Sequence, residues 1–224
     1  MDVEAEKLHT AERHKKRMTR YVLLGAVVSV LLVMGVVLVV YFVATTADGD
    51  SEITIISRAE WGARPPRSRA NVTSPVPYVI IHHSYDFGCL NKSDCEEHVR
   101  LIQDFHMDSR GWDDIGYNFL VGGDGDVFEG RGWDVRGAHA GPDWNGRSIG
   151  ICFMGNFTDT LPSEEAITAG KMLIQLSVQR NKLMANYTLY GHRQVLDART
   201  CPGEEFYNLI TEWEHWKPGN YTTT

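Results

Sequence analysis

An uncharged apolar stretch near the N-terminus constrains this chain more than any other feature of its sequence. Residues 21–44 contain no Asp, Glu, Lys or Arg. A helix of this length rises about 36 Å, enough to cross a hydrocarbon core of about 30 Å, whereas a secretory signal has a shorter apolar core of roughly 7–15 residues. Apolar residues lie all round the predicted helix, which is not typical of a half-buried helix in a globular core. The sequence therefore predicts a transmembrane helix over 21–44.

Charges on either side of this stretch predict its orientation. Basic residues are concentrated between Arg13 and Arg20, whereas no Lys or Arg follows the stretch until Arg58. Because positive charge stays on the cytoplasmic side of a membrane, the sequence predicts a membrane-embedded, single-pass type II protein whose C-terminal domain is extracellular. The predicted organisation is a cytoplasmic tail (1–20), a transmembrane signal anchor (21–44), a linker (45–52), one domain (53–216) and a short tail (217–224).

The residues after the apolar stretch have further features of an exported domain. All four cysteines lie there, and disulfides persist outside the cytosol. Cys89 and Cys95 are the local candidates for a disulfide, whereas Cys152 lies in an apolar strand and is predicted to be a buried free thiol. A disulfide between Cys152 and Cys201 is the alternative. The predicted glycosylation sites, in Asn-X-Ser/Thr sequons, are Asn71, Asn91, Asn156, Asn186 and Asn220.

Strand and helix patterns alternate through the predicted domain. Val76–His83 and Ser148–Met154 have the apolar centres of buried strands. Ser93 opens a capping box before one helix, Ser163 caps another, and the glycine-rich turn at 122–125 joins the strands of a hairpin. Such alternation is typical of α/β proteins. The sequence predicts a single α/β domain with a central mixed β-sheet flanked by helices.

Two histidines and a cysteine form a candidate metal site. His82 lies at the end of a predicted strand, His192 follows another, and Cys201 precedes Pro202 in a loop. Ligand sites of α/β sheets lie at the carboxyl ends of strands. Three protein ligands with one open position are typical of catalytic zinc sites, and Tyr117 is a candidate hydrogen-bond donor beside that position. For either histidine alone, a buried residue of the core with its hydrogen bonds satisfied is the alternative.

The motifs of this region resemble those of a known family. They include Ser57–Arg64 (SRAEWGAR), Val79–Ser84 (VIIHHS), Asp114–Phe119 (DIGYNF), Gly191–Arg193 (GHR) and Cys201–Gly203 (CPG). In this order they resemble the peptidoglycan recognition proteins of animals, which share their fold with zinc-dependent N-acetylmuramoyl-L-alanine amidases. The resemblance implies Zn2+ ligands at His82, His192 and Cys201, a catalytic role for Tyr117, and hydrolysis of the amide between N-acetylmuramate and L-alanine.

The resemblance also implies a groove for muramyl peptides. Its expected substrate-binding residues are His83, Ser84, His106, Arg110, Gly111, Trp112, Arg136, His139 and Arg147. The order Arg110-Gly111-Trp112 resembles family members that prefer diaminopimelate-type stems. A guanidinium fork binds a carboxylate through two hydrogen bonds. We therefore expect bacterial peptidoglycan as the partner, with a preference for diaminopimelate-type muramyl peptides.

The loop between His192 and Cys201 departs from the family pattern because it is one residue longer than in most family amidases. Two residues before the cysteine, the family carries a catalytic helper. Counting back from Cys201 places the helper at Arg199, a permanent cation that could stabilise a developing oxyanion. Counting forward from His192 places it at Ala198, which could not. The sequence leaves both alternatives open and predicts that the longer loop bulges outward.

Two functions remain in competition. The first is a zinc amidase that binds and hydrolyses peptidoglycan in innate immunity. The second is a non-catalytic peptidoglycan receptor that signals through the short cytosolic tail, although about 20 residues are too few for a folded signalling domain. The net charge of −7 excludes an overall electrostatic attraction to nucleic acid.

Overall fold

The computed structural model describes residues 13–21, 24, 29–38, 53–196 and 200–221, and the chain divides into two units, Met1–Glu52 and Ile53–Thr224. Within the first unit, residues 13–21 and 29–38 are helical.

The N-terminal unit does not support the predicted membrane anchor. Among the described residues, no helix is both long and apolar enough to span a bilayer. The predicted localisation as a single-pass type II membrane protein is therefore wrong. Residues 22–23, 25–28 and 39–44 of the predicted span, and the linker 45–52, lie outside the described residues.

Six strands of the second unit form one mixed sheet. They are β1 (Ile55–Ile56), β2 (Val76–His83), β3 (Phe119–Val121), β4 (Val127–Glu129), β5 (Ser148–Phe153) and β6 (Leu183–Gly191). Their order across the sheet is β1-β4-β3-β5-β2-β6. The hairpin of β3 and β4 is antiparallel, and every other neighbouring pair is parallel. The predicted mixed α/β sheet is confirmed.

The described residues of this unit also form five α-helices. They are α1 (Lys92–Asp104), α2 (Pro142–Asn145), α3 (Glu164–Gln179), α4 (His192–Val195) and α5 (Glu204–Ile210), and a π-helical turn, Phe105–Ser109, continues α1. Ser163 caps α3 as predicted, because its hydroxyl accepts the backbone N–H of Ala166. The cap of α1 was predicted incorrectly: Asn91 accepts the N–H of Asp94 at 3.1 Å, so the helix begins at Lys92, ahead of Ser93.

Helices cover both faces of the sheet. Successive residues of a strand point to opposite faces, so Cys152 and Phe153 of β5 belong to two different cores. Phe153 packs with the buried residues of α3 and α5, which include Leu173, Phe206 and Ile210. Cys152 packs with the buried residues of α1, which include Cys95, Val99 and Ile102. The sheet register places His82 opposite Cys152, so His82 lies on the α1 side.

Strand pairing brings the two histidines of the candidate site together. β2 and β6 are parallel neighbours, and Ile81 lies opposite Gly191. His82 follows Ile81 in the chain, and His192 follows Gly191. Because parallel strands end at the same edge of a sheet, two histidines 110 positions apart in the sequence come to lie side by side.

Candidate metal site and binding cleft

A cleft of about 850 Å³ opens at this edge of the sheet. Most of the predicted site residues line it: His82, His83, Ser84, His106, Arg110, Trp112, Tyr117, His139, His192 and Cys201. A volume of this size is typical of a binding site for a small molecule or for part of a polymer.

His82, His192 and Cys201 converge in the wall of the cleft. Their ligand atoms all lie within 4.8 Å of one another, and the Cys201 sulfur is 3.8 Å from Nδ1 of His82. The rings of His82 and His192 have centroids 4.3 Å apart. Zinc bonds of about 2.0–2.3 Å to nitrogen and sulfur place the ligand atoms of a tetrahedral site roughly 3.5 Å apart, close to the distance between the Cys201 sulfur and Nδ1 of His82. The three residues therefore fit a zinc ion with one coordination position left for another molecule.

The electrostatic environment keeps the imidazole of His82 neutral. Burial lowers the pKa of His82 well below its ordinary value, and the neighbouring histidines, His192, His139 and His83, lower it further. A metal ligand must present an unprotonated nitrogen. The depressed pKa therefore favours the form of His82 that binds a metal.

Arg193 holds the loop that delivers Cys201. Its backbone N–H donates to the Cys201 carbonyl at 2.9 Å, and its guanidinium donates to the Thr200 carbonyl and to Glu204. The same guanidinium lies 4.4 Å from the centre of the Tyr207 ring. The Cys201 sulfur also accepts the backbone N–H of His83 at 3.3 Å. These contacts seat Cys201 beside His82 although the loop is longer than expected. The two helper candidates, Ala198 and Arg199, lie outside the described residues.

Tyr117 lies beside the metal ligands. Its ring centroid is 5.3 Å from that of His82 and 5.5 Å from that of His106. Burial raises the pKa of the Tyr117 phenol well above its ordinary value, and the thiols of Cys152 and Cys201 raise it further. The phenol is therefore protonated at neutral pH and able to donate a hydrogen bond. Cys152 is a buried free thiol, as predicted, and it interacts with this phenol through a side-chain hydrogen bond.

His139 lines the cleft but is buried, with 7% of its surface exposed. Its Nδ1 lies 3.0 Å from Nε2 of His82. Burial lowers the pKa of His139 to about 3. The residue was predicted to bind substrate, whereas its ring lies within hydrogen-bond distance of a metal-ligand candidate.

The other wall of the cleft contains His106, Arg110 and Trp112. The His106 ring stacks on Trp112 with centroids 4.6 Å apart, and its Nδ1 accepts the N–H of Gly116 at 3.1 Å. Burial lowers the pKa of His106 to about 4, with the cations of Arg110 and Arg131 adding to the effect. Arg110 is exposed, with its guanidinium 5.2 Å from the centre of the Phe105 ring.

The structure does not bring three of the predicted groove residues into the cleft lining. Arg147 lies over the rings of Trp144 and Tyr78, at 4.5 and 5.3 Å from their centroids. Aromatic faces attract a guanidinium, so this side chain is held against a neighbouring cluster. Arg136 donates to the Pro142 carbonyl. Gly111 has a left-handed φ of 69° and forms the turn between Arg110 and Trp112.

Asp86 and His98 belong to the cleft and were not predicted from the sequence. Nε2 of His98 lies 2.7 Å from the Asp86 carboxylate, which also accepts the Ser84 hydroxyl and the N–H of Gly88. Burial opposes ionisation of Asp86, but these hydrogen bonds, led by that of His98, hold its pKa below the ordinary value. No motif marks the pair, because it joins a strand end to a helix through tertiary contact.

The predicted disulfide is buried in the core on the α1 side of the sheet, and the predicted sequons lie at the surface. Cys89 and Cys95 form a disulfide bond. The five sequon asparagines, Asn71, Asn91, Asn156, Asn186 and Asn220, are all exposed. Asn91 also caps α1, and its amide group donates to Asp94. Glycan attachment at these positions stays a prediction.

Comparison with known sequences gives long matches. Residues 72–204 match the family described as N-acetylmuramoyl-L-alanine amidase. Peptidoglycan-recognition protein SC2 of Drosophila simulans is 48% identical over 183 residues, which cover 81% of this chain and 96% of that protein. Peptidoglycan recognition protein 1 of Mus musculus is 43% identical over 163 residues, covering 73% of this chain and 89% of that protein.

Solved structures give the same result at the level of the fold. The complex of tracheal cytotoxin with the ectodomains of peptidoglycan recognition proteins LCa and LCx includes a chain that matches with 48% identity and a TM-score of 0.72, covering 74% of this chain and 99% of that one. Human PGRP-IBETAC in complex with glycosamyl muramyl pentapeptide matches with 40% identity and a TM-score of 0.70, covering 73% of this chain and 98% of that one.

Proposed function

The chain belongs to the peptidoglycan recognition protein family, with an N-acetylmuramoyl-L-alanine amidase domain, and from this premise we propose that it binds bacterial peptidoglycan in innate immunity and hydrolyses the amide between N-acetylmuramate and L-alanine. The observation that carries the proposal is the convergence of His82, His192 and Cys201 in the wall of the cleft. A cleft beside a candidate metal site is the arrangement that metal-dependent amide hydrolysis requires.

Zn2+ is the metal that this donor set favours, because two imidazoles and a thiolate are borderline-soft ligands. When bound, zinc supplies a Lewis acid that polarises a carbonyl and acidifies a water molecule. His82 and His192 would hold it through neutral ring nitrogens, and Cys201 through its thiolate. Cys201 accepts the N–H of His83, a contact that stabilises negative charge on the sulfur.

Tyr117 is the residue we assign to stabilise charge on the substrate. As the amide carbonyl becomes tetrahedral, negative charge develops on its oxygen, and a fixed donor there lowers the barrier. The Tyr117 phenol is protonated because burial raises its pKa. Its ring lies 5.3 Å from the His82 ring, so donor and metal ligands act on the same region of the cleft.

The rest of the cleft would bind the muramyl peptide. His83 and Ser84 line it on the side of β2, and His106 and Trp112 line it on the side of the π-helical turn. Arg110 presents an exposed guanidinium at this second wall. We assign it to the extra carboxylate of diaminopimelate-type stems, because a guanidinium binds a carboxylate by a charge-assisted pair of hydrogen bonds.

Release of stem peptide from purified peptidoglycan, followed by chromatography and mass spectrometry, tests the activity. We expect release with zinc, loss on chelation and recovery when zinc is restored. Cys201→Ala should abolish release, and Tyr117→Phe should reduce kcat by about 100- to 1,000-fold, while both variants still bind peptidoglycan fragments. His215→Ala is the matched control, since this histidine stacks on Tyr187 and does not line the cleft.

Two outcomes would contradict the proposal. Unchanged release by Cys201→Ala would exclude the metal-dependent mechanism. Binding of fragments by the zinc-loaded protein without any release would identify a non-catalytic binding protein.

Comparison of affinities for diaminopimelate-type and lysine-type muramyl peptides tests the assignment of Arg110. We expect the diaminopimelate-type peptide to bind more tightly, and Arg110→Leu to remove most of the difference. Arg147→Leu is the control, because its guanidinium is held over Trp144 outside the cleft lining. Loss of the preference in the Arg147 variant alone would reassign the contact.

A further inference from the structure

The two ring nitrogens of His82 face different partners. Nδ1 lies 3.8 Å from the Cys201 sulfur, on the side of the candidate metal site. Nε2 lies 3.0 Å from Nδ1 of His139, within hydrogen-bond distance. A neutral imidazole carries one N–H, and its other nitrogen has a lone pair. Which nitrogen of His82 carries the hydrogen therefore decides whether Nδ1 can bind a metal.

The position of His139 is fixed independently of His82. Its backbone N–H donates to the side-chain oxygen of Asn145 at 2.9 Å. Its ring lies against Gly137 and Gly150, where an added Cβ would come within 2.4 and 2.5 Å of ring atoms. Only glycine leaves room for the ring at these two positions. The ring planes of His139 and His82 are nearly perpendicular, at 86°, which is compatible with a hydrogen bond in the plane of one ring.

A single hydrogen can lie between the two facing nitrogens. If His82 donates it, Nδ1 of His82 is left with a lone pair directed to the metal site. If His139 donates it, a neutral His82 carries its own hydrogen on Nδ1, where it would block a metal. We propose that His139 is a positioning residue whose Nδ1 accepts the Nε2–H of His82, so that Nδ1 of His82 is held ready to bind the metal.

This inference rests on the proposed metal site and adds a residue to it. Second partners of metal-binding histidines orient the ring and select its tautomer. Here the partner is another imidazole, whose Nε2 is buried and has no hydrogen-bond partner in the part of the chain that the structure describes. His139 therefore acts through His82 and, at 7% exposure, presents little surface to a substrate.

The tautomer of His82 can be measured directly in the metal-free full-length protein. Long-range 1H–15N NMR spectra of protein labelled with 15N-histidine distinguish the Nε2–H form from the Nδ1–H form. We expect the Nε2–H form of His82 in wild type and a shift towards the Nδ1–H form in His139→Phe. A predominant Nδ1–H form in wild type would overturn the proposal. Because neither metal nor substrate is present, the result is independent of whether amide hydrolysis is found.

Zinc affinity, measured by competition with a chromophoric chelator, provides the second test. His139→Phe keeps a ring but removes the acceptor, and we expect its zinc affinity to fall about 10- to 100-fold. His139→Asn places a carbonyl oxygen near the former Nδ1 and should restore most of the affinity. A purely structural role would not produce this rescue. Equal loss of zinc affinity in both variants, or no loss in either, would refute the proposal. If His139→Phe fails to fold, the tautomer of His82 in the wild-type protein still decides it.

Discussion

Replacing His106 by asparagine should make the protein less sensitive to acid. Burial lowers the pKa of His106 to about 4, whereas an unfolded histidine titrates near 6.5. Between these values the unfolded chain binds a proton that the folded chain does not, so the free energy of unfolding falls as the pH is lowered from 6.5 towards 4. The asparagine side chain cannot titrate, and its oxygen can still accept the N–H of Gly116.

The size of the effect follows from the two pKa values. At pH 5 the unfolded histidine is almost fully protonated and the folded one almost fully neutral. Integrating the linkage from pH 7.5 to pH 5 gives a loss of about 2 kcal/mol attributable to His106. The result depends little on the folded pKa as long as it lies well below 5.

Urea unfolding of wild type and His106→Asn, followed by far-UV circular dichroism in metal-free buffer, measures this quantity. The difference in free energy of unfolding between the two proteins should change by about 2 kcal/mol between pH 7.5 and pH 5, in favour of the variant at the lower pH. Comparing the proteins pairwise cancels the other titrating groups. Between pH 7.5 and pH 9 the difference should stay constant. A difference that is independent of pH down to 5 would refute a buried, neutral His106.

Two further predictions concern the supports of the metal site. Gly150→Ala should lower the free energy of unfolding by about 1–3 kcal/mol, because the added Cβ would lie 2.5 Å from the His139 ring. Gly146→Ala is the control in the same urea measurement, since its Cβ would lie 3.8 Å from the nearest atom. Equal effects of the two substitutions would contradict the packing argument. Arg193→Met should weaken zinc binding about 10- to 100-fold in chelator competition, since the Arg193 guanidinium holds the loop next to Cys201. Unchanged zinc affinity would show that the loop positions Cys201 without this guanidinium.

Local patterns in the sequence account for β2 and for one helix cap. Val76–His83 was predicted with the bounds that β2 has, because a run of apolar residues in a buried strand is a local signal. The cap at Ser163 follows from a side chain that bonds three residues ahead. The cap of α1 was misjudged because Asn91 and Ser93 are both good capping residues, and only the path of the preceding chain decides between them.

The localisation shows where a local pattern was insufficient. The uncharged run at 21–44 is long enough for a membrane span, but no helix among the described residues is both long and apolar enough to cross a membrane.

The sequence by itself determined the chemistry available to this protein: two histidines and a cysteine as soft ligands, a tyrosine as donor, and an α/β alternation that predicts strand ends as the place of a site. Tertiary structure decided which of these groups meet and in which orientation. The register of β2 against β6 sets His82 beside His192, and a contact across 57 residues directs Nε2 of His82 to His139. Tertiary packing also places the Arg147 guanidinium over Trp144, outside the cleft lining. Such contacts join residues distant in sequence, so their geometry depends on packing that no local pattern contains.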